Sequence, residues 1–417
     1  MRAVVVALGK IGLPLAVQIA RAGHDVVGCD IDPRVVELVN AAREPFPGEA
    51  GLAEGLEETV GAGTLRATDE TTAAVAEGPE LVVAVPPLYV DADAKPDWGT
   101  LDAVTDAIGA GLQAGTTVVV ETTVPLGATR SRIAPRLEAA SGLKEGTDFH
   151  LAFSPERVFS GRVFRDLATY PKLVGGLSEE GERRAAELYR QFIPEPAEVW
   201  ELGGAEAAEM AKLAETTYRD LNIAYANELA RTADAWGLDV DKVIDASNSQ
   251  PFSHIHRPGV AVGGHCIPVY PRFYLEGAPD ARLPQLAREV NEAMPAYAID
   301  LLGEVAGKRV LVLGVAYRGG VKETAFSGAL ALRDELARRG AHAVFADPLY
   351  DADELRADGW EPWDGTDVDL AIVQADHPEY ATLRAEDVPG ATRIVDGRDV
   401  LDASLFDGVE LRRIGRP

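Results

Sequence analysis

Short apolar runs alternate with segments of helical periodicity through the N-terminal part of the chain. Strands are predicted at Ala3–Leu8, Asp25–Cys29, Leu81–Val85 and Thr117–Glu121. Helical spacing over Leu13–Ala22 separates the first two of these strands. Strands that alternate with helices are typical of a doubly wound parallel sheet. The segment from Phe153 to about Pro194 is interpreted as the closing part of this sheet.

The pattern becomes helical in the middle of the chain. From Gly204 to Trp236, apolar side chains recur at three- and four-residue spacing, which predicts one long helix. The segments Val240–Ser247 and Leu286–Leu302 add to this helical region. The long helix exceeds what one core needs and has apolar positions on more than one face. We therefore expect a homodimer with this helix buried between the protomers.

After Gly307 the alternation of strands and helices returns. Strands are predicted at Arg309–Leu313, His342–Ala346, Asp369–Val373 and Arg393–Val395, with a helix over about Ser327–Arg339. The predicted fold class is α/β, with two Rossmann-like doubly wound domains joined by a central helical domain that contains the long helix. The predicted domains are residues 1–195, 196–300 and 301–417.

Composition excludes several classes of function. The formal net charge of −27 at pH 7 opposes binding to nucleic acid and to anionic membranes. No apolar run approaches the roughly 18 residues of a membrane span. The two cysteines, Cys29 and Cys266, provide neither a disulfide framework nor a cysteine-rich metal site. We expect a cytoplasmic protein without a metal centre.

The turn between the first strand and the first helix predicts dinucleotide binding. It reads Ala7-Leu8-Gly9-Lys10-Ile11-Gly12, in which Gly9 lets a pyrophosphate reach the helix N-terminus and Gly12 permits close packing of helix on strand. Asp30 ends the second strand, where its carboxylate can accept hydrogen bonds from a ribose diol and so favours NAD over NADP. Ala7 replaces the first glycine of this fingerprint, at a small loss of turn freedom. The alternative is a βαβ unit that binds no ligand.

Two further turns, Ala84–Leu88 and Glu121–Gly127, come after the carboxyl ends of predicted strands, where open α/β sheets bind ligands. Each of them, taken alone, is better explained as a turn ended by proline. The residues predicted to contact the cofactor are Gly9, Lys10, Ile11, Gly12, Asp30, Arg34, Pro86 and Thr122.

A cysteine in a glycine-rich loop is the strongest candidate for covalent chemistry. The loop reads Gly263-Gly264-His265-Cys266-Ile267-Pro268, and its glycines allow a ligand to approach the backbone closely. The other role of a lone cysteine is that of a small buried apolar residue, which we assign to Cys29 at a strand end. Cys266, far downstream of a dinucleotide fingerprint, is predicted to attack a carbonyl as a nucleophile.

Two more motifs complete a family pattern. Ser154-Pro155-Glu156-Arg157-Val158 comes after a short strand, and Lys212 lies on an apolar helix face. In isolation these fit a surface ion pair and a lysine that reaches solvent. Together and in this order, the motifs resemble the UDP-glucose/GDP-mannose dehydrogenase family over essentially the whole chain. They are most similar to its UDP-N-acetylhexosamine 6-dehydrogenase branch, of the UDP-N-acetylmannosamine type.

The resemblance implies an activity and a set of roles. The C6 hydroxyl of a UDP-sugar would be oxidised twice to a carboxylate, with two NAD consumed. Cys266 would carry the thiohemiacetal and the thioester, and Lys212 would stabilise the oxyanion. Glu156 would act as the acid/base that handles water, which Thr123 would position. The C-terminal domain would hold the UDP part, and the implied substrate contacts are Arg157, Val158, Thr216, Arg257, Gly263, Tyr317, Arg318 and Arg398.

The sequence departs from the family pattern at several functional positions. Tyr270 replaces an aspartate near the nucleophile, Thr216 an asparagine, Ala325 an arginine and Pro87 a threonine. A phenol with a pKa of about 10 cannot act as a carboxylate base at neutral pH. Two alternatives to the full reaction remain: a partial or different redox step on a nucleotide or nucleotide sugar, and a nucleotide-sugar-binding protein without turnover. Retention of Cys266 favours an enzyme, because a pure binder needs no nucleophile.

Overall fold

The computed structural model describes residues 1–91, 93–159 and 161–416. The chain divides into two units by its internal contacts. The first unit contains Met1–Glu215 and Arg272–Ala278, and the second contains Thr216–Pro271 and the chain from Pro279 onward.

The first unit is built on an eight-stranded sheet with a small separate hairpin. Its strands are β1 (Arg2–Val6), β2 (Asp25–Cys29), β3 (Leu65–Thr68), β4 (Leu81–Ala84), β5 (Tyr89–Val90), β6 (Pro96–Asp97), β7 (Thr117–Val120), β8 (His150–Phe153), β9 (Lys172–Gly176) and β10 (Val199–Glu201). The order in the sheet is β10-β9-β8-β7-β4-β1-β2-β3, and β5 pairs with β6 alone. The reversal of order beside β1 marks the edge where doubly wound sheets bind ligands.

Helices cover this sheet. They are α1 (Gly12–Arg21), α2 (Pro33–Asn40), α3 (Leu52–Gly61), α4 (Thr71–Ala76), α5 (Gly99–Gly111), α6 (Ala134–Ser141), α7 (Val163–Leu167) and α8 (Glu179–Tyr189). A π-helical turn at Thr129–Ile133 leads into α6. Val5 and Val83 from the strands share one buried apolar cluster with Leu15 and Leu56 from the helices. The sheet is therefore buried, as its continuous apolar strands predicted.

One strand pairing departs from the predicted parallel sheet. β9 runs antiparallel to β8, with Ala152 opposite Gly176, whereas the other pairs of the eight-stranded sheet are parallel. A loop and the five-residue helix α7 join these two strands. Such a short helix does not form the crossover that a parallel neighbour requires, so the chain returns in the opposite direction.

The remaining helices lie in the later part of the chain. They are α9 (Ala205–Trp236), α10 (Val240–Asn248), α11 (Tyr270–Gly277), α12 (Arg282–Glu292), α13 (Met294–Leu302), α14 (Gly328–Arg338) and α15 (Ala352–Ala357). The long helix α9 agrees with its prediction to one residue. The segment Leu286–Leu302 is helical as predicted, and it is divided between the two helices α12 and α13. Pro295 lies in the first turn of α13, a position that tolerates proline. Inside a continuous helix it would lack the N–H for a hydrogen bond and its ring would clash with the preceding turn, so α12 ends before it.

The second unit contains a five-stranded parallel sheet. Its strands are β11 (Arg309–Leu313), β12 (His342–Ala346), β13 (Leu370–Val373), β14 (Arg393–Asp396) and β15 (Glu410–Arg413), in the order β12-β11-β13-β14-β15. Ala226 and Ala230 of α9 share one buried cluster with Val312 of β11 and Leu336 of α14. The C-terminal half of the long helix thus belongs to the core of the second sheet.

Large aromatic side chains remain exposed on α9. Tyr218 and Tyr225, two turns apart, are each about half exposed, and Trp236 is 77% exposed. Within the described part of the chain, no helix combines the length and apolar character that crossing a bilayer requires.

Candidate active site

The turn after β1 has the geometry of a dinucleotide-binding loop. Ala7 has φ +76°, in the left-handed region where glycine is usual, at a cost of about 1 kcal/mol. A Cβ on Gly12 would lie 2.0 Å from the carbonyl oxygen of Ala7, so only glycine fits where α1 begins. A Cβ on Gly9 would meet no atom within 4 Å. Packing within the protein therefore requires glycine at position 12 but not at position 9, which fits a close approach of pyrophosphate at Gly9.

Asp30 is fixed at the sheet edge by two backbone donors. Leu8 N–H donates to its Oδ2 at 2.7 Å and Asp32 N–H to its Oδ1 at 2.9 Å. Each carboxylate oxygen keeps a second lone pair, so Asp30 can still accept hydroxyl donors from a ribose. Together with Gly9, this arrangement fits NAD.

The other predicted cofactor contacts surround the same edge of the first sheet. Lys10 and Arg34 are exposed and Ile11 is partly buried. Asp32 begins α2 by accepting a hydrogen bond from Arg34 N–H at 2.8 Å. Thr122 donates its hydroxyl to the carbonyl of Pro86 at 2.5 Å, which joins the turns after β7 and β4.

Three of the predicted catalytic residues lie in the first unit, on separate segments. Lys212 Nζ donates to the backbone carbonyl of Glu156 at 2.5 Å, so the structure brings these two residues together. Thr123 is buried in the turn after β7. Glu209, one turn before Lys212 on α9, accepts N–H donors from Gly127 at 2.5 Å and Thr129 at 2.9 Å. Glu209 therefore attaches the loop that carries Thr123 to the helix that carries Lys212.

The Glu156 carboxylate is held from two sides. Its Oε1 accepts the N–H groups of Arg157 at 2.6 Å and Val158 at 3.2 Å, and its Oε2 lies 2.8 Å from Lys172 Nζ. The Arg157 guanidinium donates to the carbonyl of Pro171 and lies 3.7 Å from Glu215. In this structure Arg157 and Val158 thus contribute to the shape of the Glu156 turn.

Sequence reasoning missed a buried network behind Glu156. Lys172 Nζ also lies 2.7 Å from Glu121 Oε1, and the Tyr189 hydroxyl donates to Glu121. Lys172 is the first residue of β9 and Tyr189 the last of α8. A lysine that begins a fully buried strand was the available signal, since such a cation needs a buried partner.

The two carboxylates of this network differ in pKa. Burial raises the pKa of Glu121 despite the attraction of Lys172. Burial alone would also raise the pKa of Glu156, but Lys172 and the backbone donor of Arg157 outweigh it, and the pKa is lowered. Glu156 is therefore ionised at neutral pH and can accept a proton. Burial would lower the pKa of Lys172, but the two carboxylates raise it.

Cys266 lies in the second unit, on a loop packed against the turn after β11. Gly264 has φ +86°, and a Cβ there would lie 3.0 Å from the Tyr317 ring. On Gly263, a Cβ would lie 2.9 Å from the backbone of Phe326 and from the Tyr317 side chain. These glycines were expected to admit a ligand, but contacts with the protein itself already require them.

The residues around the thiol are held by hydrogen bonds. His265 Nε2 lies 2.5 Å from Glu323 Oε1, and Gly264 N–H donates to the carbonyl of Ala325 at 3.2 Å. The Cys266 carbonyl accepts the Tyr270 N–H at 2.9 Å, at the start of α11. Cys266 is exposed, whereas Cys29 is fully buried, as predicted. The thiol of Cys266 is therefore accessible to a substrate.

The remaining predicted substrate contacts in the second unit form two groups. Arg257 and Arg398 line one cavity of about 280 Å³ together with Arg413 and Arg416. Arg257 pairs with Asp241 at 3.0 Å, and Arg398 Nε donates to the carbonyl of Gln374 at 2.6 Å. The second group is Tyr317, beside Gly263, with the Arg318 guanidinium 5.6 Å from its ring.

Thr216 occupies neither group. It is fully buried on α9, one turn after Lys212. Within the described residues, no cluster of three histidine, cysteine or carboxylate side chains could hold a metal ion.

Comparisons with known proteins identify the family of this chain. Residues 1–193 match the NAD binding domain of the UDP-glucose/GDP-mannose dehydrogenase family, residues 206–293 its central domain and residues 311–403 its UDP binding domain. A UDP-N-acetyl-D-mannosamine dehydrogenase from Pyrococcus horikoshii is 34% identical over 100% of this chain and 99% of its own length. An NDP-N-acetyl-D-galactosaminuronic acid dehydrogenase from Ralstonia solanacearum is 32% identical over 96% of each chain.

A solved structure of a UDP-D-ManNAc dehydrogenase from Pyrococcus horikoshii superposes with a TM-score of 0.88, at 33% identity and over 100% of this chain and 99% of that one. The resemblance and the α/β fold inferred from the sequence are both confirmed. The chain belongs to the UDP-glucose/GDP-mannose dehydrogenase family and is an NAD-dependent oxidoreductase.

Proposed function

We propose that this protein oxidises the C6 hydroxyl of a UDP-sugar to a carboxylate in two NAD-dependent steps, with an N-acetylhexosamine as the sugar. The names of its relatives support this substrate class. The observation that carries the proposal is that the buried Lys212 donates from its Nζ to the backbone carbonyl of Glu156 at 2.5 Å. A cation next to a base is what oxidation and hydrolysis at one carbon require.

NAD, when bound at Gly9 and Asp30, supplies the hydride acceptor for both oxidations. After the first oxidation, the Cys266 thiolate adds to the C6 aldehyde, and the new oxyanion is stabilised by Lys212. The second oxidation converts this thiohemiacetal to a thioester. Water then attacks the thioester, its proton passes to Glu156, and the C–S bond breaks to free the Cys266 thiolate.

The test is a panel of UDP-sugars with NAD, in which NADH per sugar is counted and the product is identified by mass. We expect two NADH per sugar and a uronate product, and Cys266→Ser should leave at most aldehyde-level chemistry. Cys29→Ser is the matched control, because Cys29 is buried in β2. Tight binding of UDP-sugars with no NADH from any of them would contradict the proposal and favour a binding protein.

Tyr270 favours a second candidate, in which hydrolysis of the thioester is slow. A phenol stands at the start of α11, where the family pattern has a carboxylate. The wild type would then show an early burst of NADH and a sugar adduct on Cys266 in intact-protein mass. Tyr270→Asp should speed the slow phase. A steady two NADH per sugar without burst or adduct would mean that Glu156 activates water without help from position 270.

We also propose a homodimer that buries the exposed aromatic residues of α9, and we keep the division into domains 1–195, 196–300 and 301–417. Tyr218, Tyr225 and Trp236 together offer an apolar surface that water disfavours. Light scattering at micromolar concentration should give twice the monomer mass. Tyr225→Arg should weaken the dimer, and a monomeric wild type would refute it.

The scarcity of cysteine and the use of NAD lead us to assign the protein to the cytoplasm.

A further inference from the structure

One ammonium serves two carboxylates behind the proposed site. Lys172 Nζ lies 2.7 Å from Glu121 and 2.8 Å from Glu156, and the three side chains are 4%, 0% and 11% exposed. The Tyr189 hydroxyl donates to Glu121, and the Tyr189 ring lies 5.1 Å from the Lys172 ammonium. All three residues lie on one sheet or on the helix that covers it. Glu121 directly follows β7, Lys172 is the first residue of β9, and Tyr189 is the last residue of α8.

When Glu121, Glu156 and Lys172 are all ionised and Tyr189 is neutral, these four side chains together carry one excess negative charge. Excess charge is costly where water is excluded, so the two carboxylates together bind one proton more readily than a simple ion pair would. Lys212 and the N–H groups of the Arg157 turn also face Glu156 and oppose its protonation. Which of the two carboxylates holds that proton therefore depends on which of them Lys172 stabilises more strongly in its ionised form.

We propose that Lys172 is a positioning residue that keeps Glu156 ionised and oriented to accept a proton from water, and that Glu121 is the alternate partner of Lys172 when Glu156 becomes protonated. This inference rests on the proposed function of Glu156. As water attacks the thioester, an O–C bond forms, the C–S bond breaks and the water proton passes to Glu156. Lys172 then keeps its partner in Glu121, so the step leaves no buried cation uncompensated.

The two arms of the network make opposite predictions for pH dependence. Glu121→Gln removes the competing carboxylate, so Lys172 pairs with Glu156 alone. The acid limb of the pH profile of kcat, where activity falls as Glu156 becomes protonated, should then move to lower pH. Lys172→Met leaves two buried carboxylates together, so the acid limb should move to higher pH. Each shift should be about one pH unit or more, as for charges within roughly 4–6 Å. Lys172→Arg, which keeps the charge, should retain a limb close to that of the wild type.

Lys144→Met is the matched control, because Lys144 is an exposed lysine of the same unit paired with Glu138. It should leave the profile unchanged. A merely structural network would lower stability or kcat in the variants without moving the acid limb in opposite directions. Shifts of the same sign in Glu121→Gln and Lys172→Met, or no shift in either, would overturn the proposal. If Lys172→Met does not fold, the downward shift in Glu121→Gln decides alone.

A readout without turnover separates this inference from the proposed function. Infrared absorption of protonated carboxyl groups can be measured against pH, with the Glu156 band assigned by its loss in Glu156→Gln. Glu121→Gln should move the Glu156 titration to lower pH even without substrate. No NADH from any UDP-sugar, together with this shift, would refute the proposed function and retain the network. Turnover together with an unshifted titration would refute the network alone.

Discussion

The two Rossmann-like sheets begin with the same turn and use it differently. After β1, Ala7 has φ +76° and its N–H donates to Cys29 at the end of β2, at 2.8 Å. After β11, Gly314 has φ +96° and its N–H donates to Ala346 at the end of β12, at 2.7 Å. In each sheet an aspartate after the second strand accepts N–H groups from this turn: Asp30 in the first sheet and Asp347 in the second.

The two sheets differ in the segment that comes directly after this turn. In the first sheet α1 begins at Gly12, so its N-terminal N–H groups are close to the sheet edge, and Asp30 remains partly exposed. In the second sheet α14 begins only at Gly328, and the intervening loop packs on the segment before Cys266. Asp347 is buried there and also bonds His377 at 3.1 Å. Of the two turns, the first alone combines a helix N-terminus at the sheet edge with a partly exposed carboxylate, which are the features that dinucleotide binding requires.

The largest expected effect is the loss of stability caused by a side chain at Gly12, in the turn between β1 and α1. Gly12→Val would force side-chain atoms onto the carbonyl of Ala7, so we expect a loss of about 3 kcal/mol or more in the free energy of unfolding and loss of NAD binding. Gly9→Ala, which meets no protein atom, should keep the stability and weaken NAD binding alone. Thermal unfolding and NAD titration measure both. Wild-type stability in Gly12→Val would show that this turn is not constrained by packing.

The two aspartates should separate binding from stability. Asp347→Asn turns an amide N–H₂ toward buried donors and should cost about 2–3 kcal/mol of unfolding free energy with unchanged NAD affinity. Asp30→Asn should cost less stability than Asp347→Asn, because Asp30 is partly exposed and water can accept from the released N–H, and it should weaken NAD by about tenfold. The NADP/NAD preference should rise in Asp30→Asn. The comparison fails if Asp347→Asn weakens NAD binding, or if Asp30→Asn loses as much stability as Asp347→Asn.

Lowering the pH should reduce the contribution of Asp347 to the stability of the fold. Burial alone would raise the pKa of Asp347, but hydrogen bonds from His377 and from backbone N–H groups outweigh it and lower the pKa. A carboxylate with a lowered folded-state pKa stabilises above its unfolded pKa, and that stability is lost as pH falls below about 4. Melting temperatures of wild type and Asp347→Asn should therefore converge as the pH is lowered. A difference that persists at all pH values would exclude this origin.

The smallest expected effect is at Ala7. Ala7→Gly relieves left-handed strain but adds freedom to the unfolded chain, so we expect a gain of at most about 1 kcal/mol. Gly314→Ala should destabilise, because its Cβ would lie 2.5 Å from that of Ala375. Urea unfolding of the two variants gives both signs. A clear loss of stability in Ala7→Gly would mean that the alanine methyl makes contacts worth more than the strain.

Local pattern was sufficient for much of the fold and part of the site. The strands Asp25–Cys29, Arg309–Leu313 and His342–Ala346 agree with their predicted bounds, because continuous apolar runs have no stable solvent-exposed alternative. Gly12 was predicted from its motif, and the structure supplies the reason in a contact with Ala7. The break at Pro295 was missed, although the chemistry of proline was present in the sequence.

By itself, the sequence determined the alternation of strands with helices at both ends of the chain, the helical middle, the dinucleotide turn and the family. These depend on short-range spacing and on side-chain chemistry that neighbouring positions reveal. Only the tertiary structure brought Glu121, Lys172 and Tyr189 together with Glu156 and buried Asp347 against His377. Such partners lie far apart along the chain, and only Lys172, at the start of an apolar strand, signals that it needs one. Their pairing is decided by which strand ends meet and by the need of every buried charge for a counter-charge or a donor.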